Sequence, residues 1–220
     1  MSEPRAGYEE AGRVAAPPWT ALETPRCAIA LVCTLSPSPK PSSSQLPAEQ
    51  TMAALADHGV TGHTIRIADF DVTPGVETDM GDGDAWPQIR AQVLDADIVI
   101  LSTPIWLGHP SSIAQRVLER LDAEISEADD EGRMLTYGKV AAVRVVGNED
   151  GTHKVSADLF QGLNDVGFSL APNAVTYWVG EAMRGTDYQD LDKTPEKTAA
   201  TNKTLAANTA HLARQLKQAP

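Results

Sequence analysis

Cysteine is scarce, with only Cys27 and Cys33 in 220 residues. They stand in one apolar run, and extended chain sets them roughly 20 Å apart. That exceeds disulfide reach, so both are expected to be small buried side chains in a reducing compartment. Two thiols also leave no cysteine cluster for an iron–sulfur or zinc centre. Long hydrophobic runs are missing too. The longest is about seven residues, against the roughly 20 of a membrane-spanning helix. The first ten residues show neither the basic nor the apolar region of a signal peptide. Positive charge is in deficit: 18 Lys and Arg face 30 Asp and Glu, giving a net charge of −12. Such a field repels nucleic acids and anionic membranes. The expectation is a cytoplasmic protein with neither as a partner. Three motifs are absent as well. Without Gly-x-Gly-x-x-Gly or Gly-x-x-x-x-Gly-Lys, a dinucleotide fold or a P-loop is disfavoured. Without Gly-x-Ser-x-Gly, so is a serine hydrolase.

What is present reads as one α/β domain. Residues 1–24 are polar, with Pro17 and Pro18, and are read as a peripheral or disordered extension pinned by Trp19 and Leu22. Residues 25–220 form the domain. Unbroken apolar stretches at 27–33, 97–102 and 139–146 have the pattern of parallel strands buried on both faces. Shorter strands are expected at 63–67, alternating like an edge strand, and at 174–179. Helical patterns fall between them at about 44–58, 85–95, 111–125, 155–167 and 195–218. In the first helix Leu46, Met52, Leu55 and Ala56 are expected to face inward, and Pro47 fits only its first turn. Five alternations without a repeat predict an open parallel sheet covered by helices on both faces, in the order 2-1-3-4-5. Five aspartates between 69 and 84 lack calcium-loop spacing and are read as a solvated loop; no metal site is expected.

In such a sheet ligands bind beyond the carboxyl ends of the strands, where the order reverses. Three loops of unusual composition should meet there. The first offers Ser36, Ser38, Ser42, Ser43 and Ser44 just before a helix start. Hydroxyls, free N–H groups and the helix dipole suit the phosphate of a mononucleotide. The second comprises Thr103, Pro104, Ile105, Trp106, Leu107 and Gly108, an aromatic platform on which a flat ring can stack. Within its continuation, Ser111 or Ser112 caps the next helix. The third is Gly147, Asn148, Glu149, Asp150 and Gly151, rich in backbone N–H groups that suit the polar edge of a heterocycle. Each loop has a plainer reading: a Ser/Pro-rich turn, a core or interface tryptophan, and a helix-cap turn.

These three motifs, Ser-Pro-Ser-Pro-Lys-Pro-Ser-Ser-Ser, Thr-Pro-Ile-Trp-Leu-Gly-His-Pro-Ser and Gly-Asn-Glu-Asp-Gly-Thr-His, resemble the FMN-binding loops of the flavodoxin-like NAD(P)H-dependent FMN reductase family. The resemblance runs from about residue 27 to the C-terminus. It implies a three-layer flavodoxin-like sandwich with FMN as cofactor and NAD(P)H as co-substrate. Ser36, Ser38 and Ser42 to Ser44 would hold the phosphate, Thr103 to Gly108 the ribityl chain and ring, and Gly147 to Gly151 the pyrimidine side. It further implies a small-molecule electron acceptor such as a quinone or free flavin, and a homodimer or homotetramer. No side chain is assigned a catalytic role, because the flavin carries the chemistry; His109 or His153 is a candidate proton donor to the acceptor. The alternatives are an electron carrier that NAD(P)H does not reduce, a receiver-like module and a flavin-free interaction protein of the same topology. Arg144 interrupts an apolar strand and is read as paired near the sheet end or snorkelling outward; Tyr177 and Trp178 are read as a pocket wall or a dimer contact. The stretch 180–194 is longer than a plain connection needs and is a candidate lid.

Overall fold

The computed structural model describes residues 26–182 and 185–218; the expected 1–24 extension lies outside them. Among the described residues six strands are present: β1 (Arg26–Val32), β2 (Val60–Arg66), β3 (Ile98–Trp106), β4 (His109–Pro110), β5 (Val140–Gly147) and β6 (Ser169–Val179). The main sheet is parallel, in the order β2-β1-β3-β5-β6, with the two-residue β4 folded back antiparallel on β3. With β4 set aside, this is the 2-1-3-4-5 order expected from the sequence. The edge position of β2 fits its partly polar sequence, whereas β1, β3 and β5 are almost wholly buried.

Helices α1 (Gln45–Ala56) and α5 (Glu196–Gln218) cover one face; α2 (Trp86–Asp95), α3 (Ser112–Leu121) and α4 (Thr152–Asp165) cover the other. Each strand therefore divides its side chains between two cores. Ile29, Leu31, Val99 and Leu101 meet Trp86, Val117 and Leu159 on one side. Ala28, Ala30, Ile98 and Ile100 meet Leu55, Leu205 and Ala210 on the other. The small alanines of the second core let α1 and α5 lie close to the sheet and to each other. Among the described residues, no helix is long and apolar enough to cross a membrane.

Several boundaries differ from the expectation. The third strand continues through Trp106 and ends in a hairpin. The fourth helix begins at Thr152 and the last strand at Ser169, both earlier than expected. The third helix stops at Leu121 and tightens into a 3-10 turn, Asp122–Ser126. On α1 the buried residues are Pro47, Ala48, Thr51 and Leu55; Met52 is half-buried and packs against the same core, as expected, whereas Ala56 is exposed and Leu46 is only half-buried. The helix is wedged between the sheet and α5, and Thr51 donates to Asn202 Oδ1 at 2.7 Å across that contact. Cys33 is buried and Cys27 exposed, which corrects the expectation that both are buried. Cys27 is the second residue of β1, and its backbone N–H donates to Asp97 at 2.9 Å. Burial pushes the Cys33 thiol well above its usual range.

The acidic stretch after β2 is held by a buried ion pair. Asp84 accepts N–H donors from Thr73, Met80 and Trp86, and Arg120 of α3 donates to it at 2.8 Å. Both side chains are fully buried. Arg120 also donates to the Thr73 carbonyl and lies over the Trp86 ring. The other aspartate with a clear anchoring role, Asp69, accepts from the N–H and hydroxyl of Ser38 at 2.6 and 2.7 Å. The loop is thus tied down rather than merely solvated.

Candidate functional site

Four chain segments leave the carboxyl end of the sheet and enclose one cleft of about 740 Å³. This volume falls in the range of small-molecule and cofactor sites. The first segment, residues 33–44, contributes Ser36, Lys40, Ser42, Ser43 and Ser44. Ser42 Oγ accepts from the N–H groups of Ser44 and Gln45 at 3.2 and 3.4 Å, so the mouth of α1 carries hydroxyls and backbone donors together. Ser44 is held from below, its carbonyl accepting from Ser102 Oγ at 2.7 Å. Ser43 Oγ accepts from the Gln189 N–H and so links this segment to the fourth.

The second segment is the β3–β4 hairpin. Its two turn residues, Leu107 and Gly108, both have positive φ, 52° and 72°. Two such residues make the tight turn whose twist matches the strands it joins. The turn is easy for glycine and costly for leucine. It lifts Trp106 to the rim, 54% exposed, and leaves Leu107 89% exposed. Pro104, Ile105, Trp106 and Leu107 line the cleft.

The third segment is the short connection from β5 to α4, from which Gly147, Asn148 and Glu149 line the cleft. The fourth comprises the end of β6 and the connection after it, from which Trp178, Asp187, Tyr188 and Gln189 form a wall. Trp178 and Tyr188 meet edge to face at 5.4 Å. Tyr188 donates its hydroxyl to Gln50 of α1 at 2.7 Å, and Asn148 donates to Asp187 at 2.9 Å. The Asn148 Oδ1 and Gln189 Oε1 acceptors are shielded from water and have no partner.

Of the sequence-predicted residues, Ser36, Ser42, Ser43, Ser44, Pro104, Ile105, Trp106, Leu107, Gly147, Asn148 and Glu149 are brought to one cleft. Five are not. Ser38 turns away to Asp69 and lines a separate surface hollow with Gln45 and Arg66. Its N–H, with the Ser38 hydroxyl and Arg66 assisting against desolvation, holds Asp69 below the usual carboxylate range. Thr103 is buried beneath the hairpin, where its hydroxyl accepts from the Ser111 N–H at 3.0 Å and donates to the Pro104 carbonyl. Gly108 and Gly151 touch each other: a Cβ on Gly151 would come within 2.8 Å of the Gly108 Cα. They set the spacing of the second and third segments rather than lining the cleft. Asp150 accepts from the Gly151 N–H at 2.7 Å. His109 and His153 also lie outside the lining, beside Lys154 and Tyr177 respectively. Ser111 caps α3, as expected, accepting from the Ala114 N–H.

The fourth wall agrees with the readings of 180–194 as a candidate lid and of Trp178 as a pocket wall, but the sequence does not single out Asp187, Tyr188 or Gln189. Strand alternation sends Tyr177 toward His153 and Trp178 toward Tyr188. Gly180 completes this wall, since a Cβ there would collide with Asn148 Oδ1 and the Trp178 ring. Gly180→Ala is therefore expected to displace both side chains and weaken any ligand of the cleft roughly 10-fold. A smaller loss of stability, about 1 kcal/mol, should accompany it. Ligand titration beside thermal melting checks the difference.

A doubly wound parallel sheet with a cleft at its switch point, walled by hydroxyls and an exposed tryptophan, defines a flavodoxin-like α/β protein. Residues 30–183 match the model of the NADPH-dependent FMN reductase family. The chain belongs to that family. A Mycobacterium bovis protein described as divalent metal cation transporter MntH is 34% identical over 197 residues, 86% of this chain. The matched part spans only 29% of that relative's length. The 8-demethyl-8-aminoriboflavin-5'-phosphate synthase of Streptomyces davaonensis is 32% identical over 205 residues, covering 88% of this chain and 79% of that protein. Among solved structures, RosB with the bound intermediate 8-demethyl-8-formylriboflavin-5'-phosphate superposes with a TM-score of 0.80 at 31% identity. That match covers 89% of this chain and 81% of RosB.

Proposed function

We propose that the cleft binds FMN and that the protein passes hydride from NAD(P)H to a small electron acceptor such as a quinone or a free flavin. The observation that carries this reading is the meeting, around one cleft, of the hydroxylated α1 mouth, the raised Trp106 ring and the Gly147–Glu149 turn. The residues fit the group. Ser42, Ser43 and Ser44 offer hydroxyl and N–H donors to a phosphate, and the positive end of α1 favours its charge. Gly147, Asn148 and Glu149 bring a turn of backbone amides to the cleft, which suits the polar edge of a flavin pyrimidine. When bound, FMN supplies the hydride-accepting and hydride-donating chemistry. The protein's own part is to orient and shield. Trp106 offers a face for stacking, Trp178 and Tyr188 form another wall, and backbone N–H groups of the third segment would stabilise negative charge on the bound ring.

The exposed Trp106 and Leu107 side chains give the rim an apolar surface of the kind subunits bury on association, which supports a dimer or tetramer. The free thiols of Cys27 and Cys33 fit a reducing, cytoplasmic setting.

The test is anaerobic mixing of the FMN-loaded protein with NADH or NADPH, followed in a stopped-flow instrument. Bleaching of the flavin band near roughly 450 nm, fast enough to match steady-state turnover, is expected. No bleaching with either nucleotide would leave the electron-carrier reading in its place. The similarity to a synthase named for an aminoriboflavin phosphate favours a second reading, in which a flavin phosphate is the substrate and is itself altered. A change in flavin mass after turnover selects that reading.

A further inference from the structure

Arg144 is the most unusual side chain near the cleft. It sits in the middle of β5, between Ser102 of β3 and Thr176 of β6. It is 1% exposed, and neither its Nε nor one terminal nitrogen has a hydrogen-bond partner. Among the described residues, no carboxylate lies at ion-pair distance from it. Burial pulls its guanidinium down to about 10, while the neighbouring Tyr188 phenol favours the charge. An uncompensated buried cation is costly unless an anion is held close to it.

The surroundings show where that anion belongs. Arg144 projects to the α1 and α5 face of the sheet, on the same side as its neighbour Ser102. Ser102 Oγ holds the Ser44 carbonyl, at the mouth of α1. Tyr188, which abuts Arg144, lines the cleft and is tied to α1 through Gln50. The guanidinium therefore lies beneath the serine-lined end of the cleft, behind Tyr188.

We propose that Arg144 is a specificity-determining positioning residue, the buried positive charge that makes this end of the cleft select a phosphorylated flavin over the unphosphorylated one. It rests on the FMN-binding reading. Arg144 acts from below, through Tyr188 and the α1 mouth, on the phosphate held by Ser42 to Ser44. It polarises their donors and offsets the dianion in a chain of net charge −12.

The test compares FMN with riboflavin, which differ only in the phosphate. Wild type, Arg144→Met and Arg144→Lys are titrated with each by flavin fluorescence, and apo-protein melting is recorded alongside. The Met variant is expected to lose roughly 10- to 100-fold in FMN affinity and less than about 3-fold for riboflavin. Its apo form should melt no lower than wild type, because an unpaired buried charge has been replaced by an apolar side chain of similar length. The Lys variant, which keeps the charge, should retain most of the preference for FMN. Equal weakening of both flavins, or a Met variant that no longer folds, assigns Arg144 to the scaffold and overturns the proposal while leaving FMN binding intact. A wild-type chain that takes up neither flavin overturns both readings.

Discussion

Ser43→Asp should all but abolish FMN uptake. Ser43 lies half-buried at the mouth of α1, and its hydroxyl accepts from the Gln189 N–H. An aspartate oxygen can accept the same bond, and a carboxylate at a helix N-terminus is favourable. The fold should therefore keep its melting temperature within about 2 °C. The phosphate faces a new negative charge instead of a donor. At about 4 Å and an effective dielectric of 20, each unit of phosphate charge is repelled by about 4 kcal/mol. Even after screening, a loss of roughly 100- to 1000-fold in FMN affinity is expected, with riboflavin little affected. Equilibrium fluorescence titration reads both. Equal losses for the two flavins would show that the phosphate lies elsewhere.

Asp84→Asn should produce a large loss of stability for so conservative a change. The substitution strands Arg120, whose side chain is fully buried. Breaking a buried pair from one side costs about 3–5 kcal/mol, or about 6–20 °C in melting temperature for a chain of this size. The pair also carries a pH signature. Burial raises the Asp84 carboxyl, but the N–H donors of Met80, Trp86 and Thr73 together with Arg120 outweigh it and hold it below the usual carboxylate range. A depressed folded-state value means that the contribution is complete above the unfolded value of about 3.9. It is lost as pH falls through the folded value. Wild type should therefore shed stability below about pH 4, and Asp84→Asn should show a shallower acid limb. Urea melts at pH 3, 5 and 7 check the sign. Replacing Arg120 by methionine in the same chain should recover only part of the loss, since Arg120 also donates to the Thr73 carbonyl.

The expected effects differ because the sequence encodes fold and site through different signals. Strands β1, β3 and β5 are legible because both their faces are buried, which demands continuous runs of Val, Ile, Leu and Ala. The helices are legible from apolar spacing, and the parallel order follows from alternation. Boundaries at the site are harder. Ser-Thr-Pro-Ile-Trp reads as a loop by composition, yet backbone pairing with β5 carries β3 on through Pro104. Only the Leu107–Gly108 turn ends it. Ser38 resembles its neighbours Ser36 and Ser42 in type but is captured by Asp69, 31 positions away. No local pattern announces that capture. The same holds for the Asp84–Arg120 pair, in which a charged residue on α3 lies wholly buried. Tyr188 and Gln189 reach the cleft only because the long connection after β6 folds back over α1. Their anchors, Gln50 and Ser43, lie 138 and 146 positions earlier.

The reading as a whole depends on one cleft accepting one phosphorylated ring. Titration of the purified full chain with FMN, followed by quenching of flavin fluorescence, tests that dependence most directly. The account predicts saturable uptake of one FMN per chain, with riboflavin bound at least ~10-fold more weakly. Fluorescence that rises in proportion to added FMN, with no break at any ratio, would contradict it.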